Sequence, residues 1–297
     1  MPSVYDNVAD LPADFLAGCA ERPLPAAVLM CPPDAFDVID VKNPFMEGQI
    51  GRVDVERARL QWDDVRRAFE ACGARVELIP PADELEDMVF CANQTLVGLD
   101  DSGQPLCVLS NMKFPSRQSE VPHFAEWFAA CDYAVEHLTG DEVFEGGGDA
   151  IWHPGRGLIW GGYGPRTEPE AYDAISDFFG VPVLRICLIS DWFYHLDAAL
   201  CAIDERIALI HSPAMAPESA ELMRAVFTDV IEVDDAEARQ LMACNAAAIG
   251  GQHIIIHARC HRTIAALRER GYTVHPVDTS EFIKSGGSVY CLKAYLV

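Results

Sequence analysis

Val55–Cys72 reads V-E-R-A-R-L-Q-W-D-D-V-R-R-A-F-E-A-C. It sets Ala58, Trp62, Val65 and Phe69 at helical spacing, halts at Gly73, and runs straight into A-R-V-E-L-I-P (Ala74–Pro80). A helix that feeds a strand across one glycine is the signature of an α/β unit. The same arrangement recurs at P-E-A-Y-D-A-I-S-D-F-F-G (Pro169–Gly180), where Thr167 is the expected cap and Gly180 the stop before V-P-V-L-R-I-C. Glu218–Phe227 and Cys260–Gly271 repeat it, the latter ending in R-E-R-G-Y-T-V-H-P. Strands are expected at Ala27–Met30, Arg75–Ile79, Leu106–Leu109, Ala150–His153, Leu158–Gly161, Val183–Leu188, Ile207–Ile210, His253–Ile256 and Tyr272–Val274. The chain reuses a strand, helix, strand unit of roughly 50–60 residues, without obvious identity between copies. The fold class is α/β, and periodicity alone leaves open whether the units form an open sheet or close into a ring.

With 297 residues and half of them hydrophobic, the chain can bury an enzyme-sized core. No Gly/Ser linker or charge block divides it, so residues 1–297 are expected to form one catalytic domain. The first 25 residues stand as an N-terminal extension that matches no motif. Its apolar runs are far shorter than a membrane span, and M-P-S-V-Y-D-N-V-A-D lacks a basic start followed by an apolar stretch, so a cytoplasmic location is expected. Lys plus Arg number 22 against 46 Asp plus Glu, a formal charge of −24. Such a surface repels phosphate backbones and attracts small cations, although acidity also serves solubility alone. Neither nucleic acid nor membrane is expected as a partner, and the oligomeric state stays open, a homo-oligomer included. The 11 cysteines form no C-x-x-C pair and mostly sit in apolar stretches, which suits reduced, buried thiols.

Five stretches carry polar or glycine residues that a bland fold would not require. In F-E-G-G-G-D-A-I-W (Phe144–Trp152) three glycines let backbone approach closely between Glu145 and Asp149, or simply form a turn with solvated acids. In D-W-F-Y-H-L-D-A-A-L (Asp191–Leu200), His195 and Asp197 are two apart; on a strand they face one side, where the carboxylate can align the imidazole. Cys291 follows the double glycine of S-G-G-S-V-Y-C in an apolar strand, as a candidate nucleophile or one more buried thiol. Asn93 interrupts the apolar D-M-V-F-C-A-N-Q-T-L-V and needs hydrogen-bond partners, from a ligand or from a strand-end turn. His253, His257 and His261 recur every four residues, yet the intervening I-I-I favours a strand and breaks that face, so no metal is expected there. No P-loop or G-x-G-x-x-G occurs, and no cofactor is expected.

Taken in order, N-P-F-M (Asn43–Met46), D-M-V-F-C-A-N, E-G-G-G-D, Y-H-L-D and S-G-G-S-V-Y-C resemble the guanidine-modifying amidinotransferase, or pentein, superfamily across nearly the whole chain. The resemblance implies a pseudo-fivefold α/β propeller of ββαβ units, which closes the ring. It also implies Cys291 as nucleophile, His195 as general acid and base, and Glu145 as the carboxylate that supports the histidine or grips a guanidinium, with Asp149 and Asp197 beside them. Arginine deiminases and dimethylarginine hydrolases usually carry aspartate at the position of Asn93. The Ala92-Asn93 pair and N-P-F-M are similar to arginine dihydrolases, with Asn43 and Asn93 as substrate contacts. Arg117 and Arg166 resemble arginines that hold a substrate carboxylate, although exposed loop arginines would read alike. Ser285 resembles a residue whose carbonyl meets substrate. The expected function is hydrolysis of arginine or a close analogue, a small cationic guanidino compound with a carboxylate, through a covalent thiouronium. Arginine to ornithine, carbon dioxide and ammonia leads, and dimethylarginine hydrolysis, arginine deimination, amidino transfer or an inactive ligand-binding propeller stand as alternatives.

Overall fold

The computed structural model describes residues 3–297. The N-terminal strand β1 (Val4–Tyr5) leads to β2 (Ala27–Met30), helix α1 (Val55–Ala71) and β3 (Arg75–Leu78). Asp54 caps α1 by accepting from Arg57 N, and Cys72 ends it before Gly73, which takes a left-handed turn at φ +84°. Its buried face is Ala58, Gln61, Trp62, Val65, Ala68 and Phe69, the stripe expected from the spacing with Ala68 and the polar Gln61 added.

Four further units follow, each a hairpin, a crossover helix and a parallel strand. They are β4 (Thr95–Leu99), β5 (Pro105–Leu109), α2 (Val121–Ala130) and β6 (Ala134–His137); then β7 (Ala150–Trp152), β8 (Ile159–Tyr163), α3 (Ala171–Phe179) and β9 (Val183–Cys187). Next come β10 (Leu200–Ala202), β11 (Ile207–Ile210), α4 (Pro217–Val226) and β12 (Asp229–Glu232), then β13 (Ala247–Ile249), β14 (His253–His257), α5 (His261–Glu269) and β15 (Thr273–Val277). The first pair in each unit is antiparallel and the second parallel, as a helical crossover demands. The last strand, β16 (Ala294–Leu296), pairs antiparallel with β2, Ala294 against Leu29, and so supplies the missing first strand of the first unit. The C-terminal strand thus closes the sheet of the first unit, and β16 also lies against β4 while β10 lies against β13, so these short first strands neighbour one another around the centre. Five ββαβ units make the pseudo-fivefold propeller, with β1 added parallel to β9 as a fourth strand of its sheet.

Two local expectations are corrected. Thr167 does not cap α3, which starts at Ala171 after Glu170; its hydroxyl instead donates to Asp149 Oδ2 and accepts from Glu145 N. Cys291 does not lie in a strand: Lys293 N donates to Tyr290 O at 3.3 Å, a turn that delays the strand to Ala294. No helix among the described residues is long and apolar enough to cross a membrane.

Candidate active site

Cys291 is held in its turn by one buried side chain. Asn245 Oδ1 accepts from Ser288 N at 3.0 Å and Cys291 N at 3.2 Å, while its Nδ2 donates to Cys291 Sγ at 3.1 Å and Asp197 O at 3.2 Å. The thiol in turn donates to Asp197 Oδ2 at 3.2 Å. Burial pushes the thiol well above its usual range, and the neighbouring Asp197 carboxylate adds to that rise. Burial likewise pushes Asp197 up to about 7, against the opposing pull of Cys291 and Lys293.

The double glycine before the cysteine is a packing requirement. Gly286 has φ +82°, and a Cβ there would lie 2.6 Å from Tyr194 Oη and 2.9 Å from Asn43 Oδ1; one at Gly287 would lie 2.2 Å from the Phe90 ring. Tyr194 Oη donates to Gly286 O at 2.6 Å and Asn43 Nδ2 to Ser285 O at 3.0 Å, so the loop is clamped on two sides. Gly286→Ala is expected to cost about 2 kcal/mol or more, from strain at positive φ and the displaced tyrosine. Thermal unfolding would register the loss, and a variant as stable as the parent would show the loop to be slack.

His195 and Asp197 do not share a strand. A 3₁₀ turn, Leu196–Ala198, follows His195 and turns the two side chains to different partners. His195 Nε2 meets Glu145 Oε2 at 2.5 Å and its Nδ1 lies 3.3 Å from Asn93 Nδ2. The imidazole is therefore aligned by Glu145, with Nε2–H donating to the carboxylate and Nδ1 facing the amide, from which it accepts when unprotonated. Glu145 Oε2 also accepts from Arg166 Nη1 at 2.8 Å and Oε1 accepts from Lys113 N at 3.0 Å. Burial would raise this carboxyl, but the Arg166 guanidinium and His195 outweigh it and hold it below the usual carboxylate range. Asp149 Oδ1 accepts from Leu196 N at 3.0 Å, anchoring the residue after the histidine, and burial pushes its carboxyl up to about 6. The glycine run allows this crowding: a Cβ on Gly148 would sit 2.1 Å from Asn93 Nδ2.

Asn93 Oδ1 accepts from Arg117 Nη1 at 3.3 Å, and Arg117 is itself paired with Glu120 at 3.1 Å. Neither Arg117 nor Arg166 is an exposed loop residue; they are 5 % and 6 % exposed and already ion-paired within the protein. Both still line one cavity, of about 300 Å³ including its mouth, together with Asn43, Asn93, Ser285 and Cys291. Glu145, His195, Asp149 and Asp197 stand immediately behind that lining, joined to it by the hydrogen bonds above. Six of the ten residues singled out in the sequence thus line the cavity, and the other four stand behind it, His195 bonded to Asn93, Glu145 to Arg166, Asp197 to Cys291, and Asp149 through Thr167 to the Glu145 backbone.

Lys42, Asp87, Tyr194, Asn245 and Lys293 escaped the sequence reading. Asn245, in the apolar A-C-N-A-A-A, carries the same signal that exposed Asn93. Asp87 lines the cavity with Oδ2 unbonded, its one close charge being Lys42 Nζ at 3.2 Å. Lys293 is 1 % exposed behind the thiol, its ammonium 3.0 Å from the Tyr290 ring centre and 3.7 Å from that of Tyr295. His253 and His257 lie on β14 while His261 opens α5, so their spacing makes no common face.

The model of the family N,N dimethylarginine dimethylhydrolase, eukaryotic, matches residues 39–297. The bifunctional arginine dihydrolase/ornithine cyclodeaminase ArgZ of Synechocystis sp. is 37% identical over 268 residues, 89% of this chain but 37% of that one, so the chain spans well under half of this relative. The N(G),N(G)-dimethylarginine dimethylaminohydrolase of Mycobacterium tuberculosis is 34% identical over 262 residues, 88% of this chain and 83% of its own. Among solved structures, the N-terminal domain of ArgZ, a cyanobacterial arginine dihydrolase, as a cysteine-to-serine mutant bound to substrate, superposes with TM-score 0.86 at 34% identity, covering 91% of this chain and 98% of that domain. With the five-unit ring and a family match over more than half its length, the chain belongs to the dimethylarginine dimethylaminohydrolase/arginine dihydrolase family of the pentein superfamily.

Proposed function

We propose that the protein hydrolyses the guanidino group of arginine twice, releasing ornithine, carbon dioxide and two molecules of ammonia. Cys291 gives its proton to Asp197 Oδ2, 3.2 Å away, and the thiolate attacks the guanidinium carbon. His195, entering with a proton on each ring nitrogen, delivers the one on Nδ1 to the departing nitrogen, ammonia leaves, and a thiouronium remains on sulfur. His195 then takes a proton from water as it attacks that carbon. The C–S bond breaks, Asp197 returns its proton to sulfur, and a ureido compound is left. A second round on the ureido carbon expels the second ammonia and leaves a thiocarbamate, whose hydrolysis gives a carbamate that loses carbon dioxide.

Asn93 carries the choice of two rounds over one. Its amide offers Nδ2 to His195 and Oδ1 to Arg117 and is neutral, so it serves a cationic guanidinium and an uncharged ureido group alike. A carboxylate there would be left buried without its cation after the first round, at a cost of order several kcal/mol. The similarity to ArgZ agrees with this reading. Asp87, which lines the cavity and is paired with Lys42, supplies a carboxylate for a substrate ammonium, and Arg117 and Arg166 supply the side of the cavity that suits a carboxylate.

Incubation with arginine, the dimethylarginines, succinylarginine, agmatine and citrulline tests the proposal. Ornithine with two ammonia per arginine consumed is expected, and citrulline as the end product overturns the two-round version. Asn93→Asp is expected to accumulate citrulline, its second round slowed about 10²-fold relative to its first. The matching family model favours one second reading, dimethylarginine hydrolysis, which dimethylamine release would reveal. Because burial raises the thiol, kcat/KM should climb with pH through neutrality; a flat profile from about pH 5 to 9 contradicts the thiol chemistry.

A further inference from the structure

Away from the cavity, Cys72, His253 and His275 bring three metal-ligating atoms together. His253 and His275 lie on the adjacent parallel strands β14 and β15, where the register sets Ile255 beside His275, so the two rings meet diagonally across one face. His253 Nδ1 is 3.0 Å from His275 Nε2, and the Cys72 thiol completes a set whose ligand atoms all lie within 4.8 Å of one another. Bonds of about 2.0–2.1 Å to nitrogen and about 2.3 Å to sulfur place tetrahedral ligand atoms roughly 3.3–3.6 Å apart, so small side-chain movements close the set around an ion. The thiol has no hydrogen bond among the described residues, and the imidazoles have only the one they share. Cys72 ends the 17-residue helix α1, whose carbonyl end favours a cation. All three residues are partly exposed, which leaves an entry path.

The geometry points to a zinc site formed by Cys72, His253 and His275, with water as fourth ligand, that clips the end of α1 to the neighbouring β14–β15 sheet. Two imidazoles and a thiolate without a carboxylate suit zinc and exclude magnesium and calcium. The Cys72 proton is released to solvent as sulfur binds the ion. The site joins the unit that combines β2 and β3 with the C-terminal strand β16 to the unit before it, so its occupancy fastens the seam where the ring closes.

The test uses metal-freed full-length protein carrying Cys291→Ser, which removes the active-site thiol as a competing ligand. Titration with Co²⁺ should show one equivalent with sulfur-to-cobalt charge-transfer absorption, displaced by Zn²⁺, and Zn²⁺ should raise the melting temperature by several degrees. Adding Cys72→Ser should abolish the absorption, and His253→Asn or His275→Asn should weaken binding at least tenfold, while metal-free melting curves check that each variant is folded. Absorption that survives Cys72→Ser overturns the site, as does the absence of saturable binding at micromolar metal. Should Cys72→Ser fail to fold, equal affinity of the two histidine variants and the parent overturns it equally.

Discussion

Cys291→Ala is expected to lower arginine turnover by about 10⁴-fold or more, because the guanidinium carbon, its charge spread by resonance, needs a strong nucleophile and Cys291 is the thiol that lines the cavity. The stability of the variant should change little. Among the described residues Sγ is held by two hydrogen bonds, to Asp197 and from Asn245, and Asp197, pushed up to about 7, can take up a proton when the thiol is gone. Activity and stability therefore separate at this position, and steady-state ammonia release beside a thermal melt measures both. Turnover within tenfold of the parent would remove Cys291 from the chemistry.

Glu145→Gln is expected to damage both. Glu145 is wholly buried, its Oε2 serves Arg166 at 2.8 Å and His195 at 2.5 Å and its Oε1 accepts from Lys113 N, whereas an amide keeps one acceptor oxygen, carries no charge to balance Arg166 and turns its NH₂ against a donor. An uncompensated buried guanidinium costs about 3–5 kcal/mol. Loss of histidine alignment removes much of the roughly 10²–10⁴-fold that general acid and base catalysis supplies. The pH dependence gives a sign to check. The folded-state pKa of Glu145 lies below its unfolded value of about 4.3, so its stabilisation is present above that value and is lost as the pH falls toward the folded one. The gap between parent and variant, measured by denaturant unfolding, should be full at pH 7 and narrow below about pH 4. A gap independent of pH would mean that the carboxylate charge is not what holds Arg166.

The fold was legible where burial writes a period into the chain and obscure where elements are short. α1 runs Val55–Ala71 as its spacing indicates, because a 17-residue helix records its buried face several times over. Ala27–Met30 and Ile207–Ile210 are strands with those bounds. β10 and β13 have three residues each and escaped, since the ring centre needs no more and so short a run carries no alternation, whereas the equally short β7 was expected and β16 was expected to begin too early, at the cysteine. β6 escaped for the opposite reason: an outer strand, largely exposed, has no apolar signature. In the site, polar residues stranded in apolar runs were informative, Asn93 and Asn245 alike, whereas pairings across the ring were not. Glu145 rather than Asp197 aligns His195, and Asp197 instead meets Cys291, because a 3₁₀ turn replaced the strand that the spacing suggested. Lys293 sits two residues past the thiol in a strand-like run, and only the ring closure that folds it beneath Tyr290 and Tyr295 shows it to be buried.

The most direct test is peptide mapping by mass spectrometry of protein acid-quenched during turnover of isotopically labelled arginine. Label carried as an amidino adduct on the Cys291 peptide is the result expected; label on any other residue, or continuing turnover with an unmodified Cys291 peptide at every quench time, would contradict covalent catalysis by this thiol.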